Sequence, residues 1–404
     1  MVAKGRRTIL IAASPSWRFG WGIYAINMAL HWHGDPDLAP LTALPFDPPE
    51  LLDLPGLDPA WRERLVPFAA ASLAFQKTLK NVPGPVLDVS CPMLHPLYDQ
   101  MHVAPLPGGN LAFGRPTIGM VFSMDTAIAS AARERAKRFP LIVAGCRWNQ
   151  QVLQDAGIGP VALVIQGIEP TLFHPGPRGG RFGGRFAIFS GGKLEYRKGQ
   201  DLVMRAFRDF HRRHSEAQLV TAWHSPWPGL SQSLAGEDSP APPQQPGGAI
   251  DVLGWANSFG LPPDAIVDLG TVPQPKMPAL LREMDVALFP NRCECGTNLV
   301  AMEAMACGLP TILSANTGHL DLMTSDNSYG LTRQKPVDPG RAGVGGSEGW
   351  GESDCEEILA QLEAVYTDRA EAARRGGHAA ATLAQLPWQR QVQALKATIL
   401  PCLD

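Results

Sequence analysis

A lone acid in an apolar run is the first residue that asks for a chemical reason. From Asn298 to Cys307 the chain reads NLVAMEAMAC, and Glu303 is its one charged side chain. A helix over this stretch would be apolar nearly all round, and such a helix is buried. A buried carboxylate costs roughly several kcal/mol unless donors satisfy it. Glu303 would lie in the second turn, beside the free N–H groups of the first turn, which form an anion site. A ligand with hydroxyls for Glu303 and phosphates for the helix tip would meet both demands. That describes a ribose joined to a diphosphate, the common part of nucleotide-sugars. The other reading is that Glu303 pairs with Arg292 or caps a neighbouring element, and spacing alone does not choose between them.

A second group is GGKLEYRKGQD, 191–201, with two glycines and the cations Lys193, Arg197 and Lys198 ahead of a helix. Glycine lets backbone approach a phosphate and the cations would bind it; a solvated basic turn would look the same. A third is the loop PSWRFGWG, 15–22, where Gly20 and Gly22 stand at a strand-to-helix turn. Doubly wound sheets place ligands at such turns, although an ordinary tight turn also uses Gly-x-Gly. Trp17, Phe19, Trp21 and Tyr24 cluster there, and aromatic faces serve either sugar rings or a core.

The elements that must hold these groups alternate. Strand 286–289, helix 298–307 and strand 311–314 form a βαβ unit, with Thr297 or Asn298 as N-cap and Gly308 with Pro310 as the stop. Further strands are expected at 8–14, 86–90, 117–122, 141–144, 161–165, 186–190, 219–223 and 266–269. Helices are expected at 23–33, 61–80, 127–139, 276–284 and 388–400, among others. Strands alternating with helices indicate a parallel α/β sheet. The stretch 36–59 and the segment CPMLHPLYDQMHVAPLPGGN read as irregular. The runs 225–248 and 340–353, rich in Gly, Pro and Ser, read as mobile insertions, and 171–184 reads as an interdomain linker.

The sequence LVAMEAMACGLP resembles the donor-site signature of retaining glycosyltransferases of the GT-B fold, family 4 (glycosyl transferases group 1). In that family the final Glu binds the ribose hydroxyls, which points to Glu303. An earlier Glu sits near the transferred sugar. Its usual position is held by Cys295, and Glu294, one residue before, takes the role if the turn carries one extra residue. The family's Gly-Arg-Leu and Lys-Gly contacts to the diphosphate fall on Gly192, Lys193 and Lys198, with Lys193 standing where Arg is usual. The amides near Thr297, Asn298, Leu299 and Val300 face the diphosphate, and Thr271 and Val272 lie near the base. Gly20 and Gly22 match the family's glycine-rich loop. SANTGHLDLM replaces a more usual segment, making Asn316, Thr317 and His319 candidate sugar contacts. No histidine follows strand 117–122 as the family pattern would have it. Asp125 is the candidate substitute, with His95 and His102 on the preceding loop.

The resemblance implies an α/β, GT-B architecture: two Rossmann-like domains with parallel sheets facing an interdomain cleft. Residues 1–170 would bind acceptor, 185–386 would bind donor, and a helix over 387–404 would cross back to the first domain. PLIVAGCRWNQQVLQDAGI and QGIEPTLFHP resemble the way the family's first domain ends. The implied reaction moves a sugar from a nucleoside diphosphate sugar to an acceptor hydroxyl with retention, needing no cofactor and no metal. The acceptor, whether glycan, lipid-linked or protein, and the sugar and base are not given. An epimerase on the same fold and a non-catalytic nucleotide-sugar binder are the alternatives.

Composition agrees with this class. A chain of 404 residues is long enough for two domains. The formal charge of -3 gives no field to draw in nucleic acid. Seven cysteines without regular spacing form no disulfide framework, and Cys293 with Cys295 lacks the further ligands of a zinc site. Reduced thiols point to the cytoplasm. MVAKGRR has the basic start of a signal peptide, but the apolar run after it is too short and reads as a strand. No apolar run reaches spanning length, which leaves peripheral membrane contact open.

Overall fold

The computed structural model describes residues 5–79, 85–106 and 109–403. The basic start at 1–4, Lys80 at the end of the helix expected over 61–80, and residues 107–108 of the segment expected to be irregular lie outside them. The chain forms two compact units, one of residues 1–167 with 386–404 and the other of 168–385.

The first unit is built on strands β1 (Arg7–Ile11), β2 (Leu38–Thr42), β3 (Met93–Tyr98), β4 (Thr117–Val121), β5 (Ile142–Ala144) and β6 (Val161–Leu163), with helices α1 (Gly20–His31) and α2 (Pro59–Leu79). They form one parallel sheet in the order β2-β1-β3-β4-β5-β6, and His102–Val103 adds an antiparallel edge to β3. Two of these strands correct the sequence reading, which left 36–59 and the segment around Met93 irregular. Each carries a proline. Arg7 N–H donates to the Asp37 carbonyl, so alternate residues from Asp37 face β1 and Pro40 faces the open edge, where no ladder bond is lost. In β3, Pro92 and Leu94 accept from Leu10 and Ala12. Pro96 points the same way, but beyond Leu94, where pairing with β1 ends. The strand expected at 86–90 is Val86–Asp88, which pairs with Leu111–Phe113 outside the main sheet.

The C-terminal helix Trp388–Ile399 belongs to this unit. Its Trp388 ring lies 5.1 Å from that of Tyr24 on α1, and Lys396 Nζ stands 2.7 Å from both Asp35 and Asp37.

The second unit holds β7 (Phe186–Lys193), β8 (Ala217–His224), β9 (Ile266–Asp268), β10 (Val286–Phe289), β11 (Thr311–Ser314) and β12 (Tyr329–Leu331), with α3 (Gln200–His211) and α4 (Leu299–Ala306). All pairs are parallel, in the order β9-β8-β7-β10-β11-β12. Strands covered on both faces read as unbroken apolar runs; Ile188, Leu219, Leu288 and Ile312 are fully buried. The chain winds outward from β7 to β9, then restarts on the other side at β10. In such a doubly wound sheet, ligands bind beyond the carboxyl ends of the strands at the switch point. Here that point lies between β7 and β10, where the turn 291–298 and Lys193 begin.

The two runs expected to be mobile are folded instead. In 225–248 the helical turn Pro228–Leu234 buries Leu234, and Gln232 and Trp255 donate to the Pro242 and Pro240 carbonyls at 3.0 and 2.8 Å. In 340–353, Glu352–Ser353 pairs with Gln334–Lys335, and the Arg341 guanidinium lies 4.3 Å over the Tyr196 ring. Low periodicity hid both, because side-chain bonds to backbone hold them rather than an apolar stripe. The stretch 171–184 also packs on its own unit, through Arg178 with Asp285 at 2.9 Å and Gly180 and Arg181 N–H on Glu283 at 2.9 Å each. No helix among the described residues is long and apolar enough to cross a membrane.

Candidate functional site

Helix α4 begins with Asn298 as N-cap, in left-handed backbone at φ 59°, its side-chain oxygen 3.5 Å from the Ala301 N–H. Asparagine tolerates that conformation. The N–H groups of Leu299 and Val300 have no acceptor among the described residues. Thr297 is fully buried and donates to the Met302 sulfur at 3.0 Å. Glu303 follows in the second turn, 3% exposed. Arg292 is not its partner: that guanidinium is taken by Asp201 at 2.8 and 2.6 Å and by Glu352 at 2.7 Å. One oxygen of Glu303 accepts from the Gln274 amide at 2.7 Å, and no cation reaches it among the described residues. Burial, only partly opposed by that bond, pushes its pKa up to about 8. Gln274 gave no sequence signal, since a glutamine between two prolines reads as a turn. It follows Thr271 and Val272, which line a cavity of about 430 Å³ with Pro273, Lys276 and Leu280. Glu303 is not in that wall.

The cationic loop sits at the switch point. Gly191 packs against the first turn of α4, where an added Cβ would stand 2.9 Å from Val300 Cγ1. Gly192 has φ 126°, and the Lys198 stem passes it. The Lys198 ammonium is bonded to Glu294, which also accepts from Asn291 and stands 3.4 Å from Arg197. Burial alone would raise the Glu294 pKa, but Lys198 and Arg197 outweigh it and hold the carboxyl at about 2. Arg197 pairs also with Glu195 at 2.5 Å. Lys193 forms no ion pair among the described residues; its Nζ lies 4.7 Å from the Trp227 ring centroid, and burial lowers its pKa.

Asn316, Thr317 and His319 are buried and spent on protein, which corrects their reading as sugar contacts. Asn316 donates to the carbonyls of Asn291 and Gly351 and to Gln334. Thr317 Oγ accepts from Glu294 N–H at 2.7 Å. His319 stands 3.1 Å from the Ser314 carbonyl through Nδ1 and takes the Asn298 amide on Nε2 at 3.0 Å. Burial lowers its pKa to about 4, so it is neutral at pH 7. The segment is a brace for the turn 294–298. Gly318 donates to the Glu294 carbonyl at 2.9 Å, and a Cβ there would overlap the Gly296 carbonyl. Gly318→Ala is therefore expected to cost about 2–3 kcal/mol, read as a lower Tm, and to loosen Glu294 and Asn298 together.

In the first unit, Asp125 follows β4 and is buried. It accepts from Gln100 Nε2 at 2.7 Å and from the Ala127 N–H at 2.9 Å. Asp99 shapes this loop, accepting from Ser123 Oγ at 2.8 Å and Met124 N–H at 2.6 Å. His95 lies inside β3, not on a loop, and is buried, its Nδ1 3.0 Å from the Pro96 carbonyl. His102 is exposed on the short edge strand. Gly20 opens α1 and is exposed. Gly22 is needed for packing, since a Cβ would meet the Ser16 backbone at 2.6 Å. Trp17 and Tyr24 are core, both 1% exposed, leaving Phe19 and Trp21 as the partly exposed rings.

Residues 185–338 match the family model described as Glycosyl transferases group 1. No curated protein matches the chain. Among solved structures, the sucrose-phosphate synthase of Thermosynechococcus elongatus is 15% identical, with 98% of this chain and 99% of that one covered at a TM-score of 0.61. HepE of Anabaena, solved with UDP and glucose, is 14% identical, with 98% and 99% covered at 0.63. A glycosyltransferase of Rickettsia africae is 10% identical, with 99% and 100% covered at 0.62. At such identities the likeness speaks for the fold, which is α/β of the GT-B type. The stretch that holds Lys193, Lys198, Glu294 and Glu303 thus carries the glycosyl transferases group 1 match, on a chain of GT-B fold.

Proposed function

We propose that the chain is a retaining glycosyltransferase of the cytoplasm, moving a sugar from a nucleoside diphosphate sugar to an acceptor hydroxyl without a resident metal. One observation carries this reading. Glu303 is buried without a cation among the described residues, on the helix whose first-turn Leu299 and Val300 amides have no acceptor there and against which Gly191, two residues before Lys193, packs. From Val300 to Glu303 the helix rises about 4.5 Å, the scale that separates a ribose from its diphosphate. Ribose hydroxyls would supply the donors the carboxylate lacks. The amides of Leu299 and Val300 and the two ammonium groups would stabilise charge on the departing diphosphate. Glu294 would lie by the transferred sugar and Thr271 and Val272 by the base. Asp125, Gly20 and Gly22 would serve the acceptor side. Two proteins of the same fold support the reading: HepE is solved with UDP-glucose, and a trehalose-6-phosphate synthase is described for glycosyl transfer with retention.

A second reading, nucleotide-sugar binding without turnover, is favoured by the bond that already holds Lys198 to Glu294. A thermal-shift screen of nucleoside diphosphate sugars, followed by product analysis with and without acceptor, tests both. Transfer with the anomeric configuration kept supports the first reading. Binding without donor consumption supports the second, nucleotide release without an acceptor indicates an epimerase, and no shift with any donor removes the donor site.

A further inference from the structure

Three cations stand at the end of β7 and in the loop after it, and two are committed. Arg197 is paired with Glu195 and Glu294, and Lys198 with Glu294. Lys193 has no such partner among the described residues; what faces its ammonium is the Trp227 ring, centroid 4.7 Å away. Trp227 is 52% exposed, although large apolar side chains gain by burial, and it belongs to the stretch 225–248. That stretch is built to hold it there. Ser225 Oγ accepts from Trp227 N–H at 3.1 Å, and the Trp227 carbonyl accepts from Leu230 N–H at 2.9 Å at the start of the helical turn Pro228–Leu234. Ser233 on the same turn accepts from Tyr196 N–H at 3.2 Å, tying the stretch to the cationic loop.

We infer that Trp227 is a positioning residue for the diphosphate: its ring holds the Lys193 ammonium near the first turn of α4, with no ion pair to a carboxylate among the described residues. This rests on the donor-site reading above. The distinction from the neighbouring cations is chemical. A carboxylate takes an N–H of its lysine in a strong, directed bond, whereas an aromatic face attracts the cation through its quadrupole and holds N–H groups only weakly. Lys193 therefore keeps donors that no carboxylate has claimed among the described residues, available to phosphate oxygens. The ring also favours the charged form in a half-buried position where desolvation works against it. The stretch 225–248 acquires a role by this route, as the mount of one side chain.

The test uses the full chain and whichever of ADP, GDP, UDP, CDP and dTDP gives the largest thermal shift, together with the matching nucleoside. Trp227→Leu keeps apolar bulk without the quadrupole and is expected to weaken the diphosphate about tenfold, leaving the nucleoside and the ligand-free Tm unchanged. Trp227→Phe restores most of the affinity. Lys193→Gln shows the same loss, and the double variant loses no more than Lys193→Gln alone. Unchanged diphosphate affinity in Trp227→Leu, or equal losses for diphosphate and nucleoside, overturns the role. If the wild-type chain binds none of the five, the donor site fails and the role of Trp227 goes with it.

Discussion

Glu303→Gln is expected to abolish measurable binding of the nucleoside diphosphate and, at the same time, to raise the Tm of the ligand-free protein above pH 8. The two effects share one cause. Burial lifts the Glu303 pKa to about 8, against about 4.3 in an unfolded chain. Between these values the folded state keeps a proton that the unfolded state has released, so stability falls as pH rises through that window and levels off above it. The loss is on the order of 5 kcal/mol. Glutamine keeps the bond to Gln274 and never ionises, so the variant lacks the slope. Differential scanning calorimetry at pH 5 and pH 8.5 should show near-equal Tm values for the two proteins at the lower pH and a gap of several degrees at the higher. Because the ribose hydroxyls need the ionised form, wild-type affinity should rise with pH by close to tenfold per unit below about 8. The matching nucleoside, which has no titrating phosphate, shows this without interference. A wild-type affinity that ignores Glu303→Gln would take the ribose away from this helix.

Lys198→Ala should lower kcat about 10²-fold or more through lost stabilisation of the leaving diphosphate. It should also cost about 3–5 kcal/mol of stability, since it leaves the buried Glu294 without its nearest cation. The two losses can be separated. Lys198→Met combined with Glu294→Gln removes the stranded charge and should recover most of the Tm while turnover stays low. The Lys198 ammonium has three N–H groups and spends one on Glu294, so it can serve the diphosphate without leaving that carboxylate. Turnover of Lys198→Ala within a few-fold of wild type would place the diphosphate elsewhere.

Much of the second unit could be read from residues. β10 and β11 carry the expected bounds, and α4 differs by one residue at each end. Unbroken apolar runs and a lone acid leave few alternatives there. What could not be read depends on where a residue faces. Pro40 and Pro96 look like strand breakers until the direction of each missing N–H is known. His319 and Asn316 look like ligand groups until their bonds to Asn298 and Gln334 are seen. Choosing between Arg292 and a ligand as the partner of Glu303 required knowing that Asp201, on α3, had taken the guanidinium. Trp227 carried no pattern at all, because a cation over a ring joins residues far apart in the chain.

Lys396, locked to Asp35 and Asp37, sets an order of assembly. A ribosome has delivered every residue from 168 to 385 before the helix that covers α1 exists. The middle of the polypeptide can therefore mature first, while the earlier-made sheet waits with the flank around Tyr24 bare. Released chains that end just short of Trp388 should show protease resistance in the later-made half and cleavage in the earlier one.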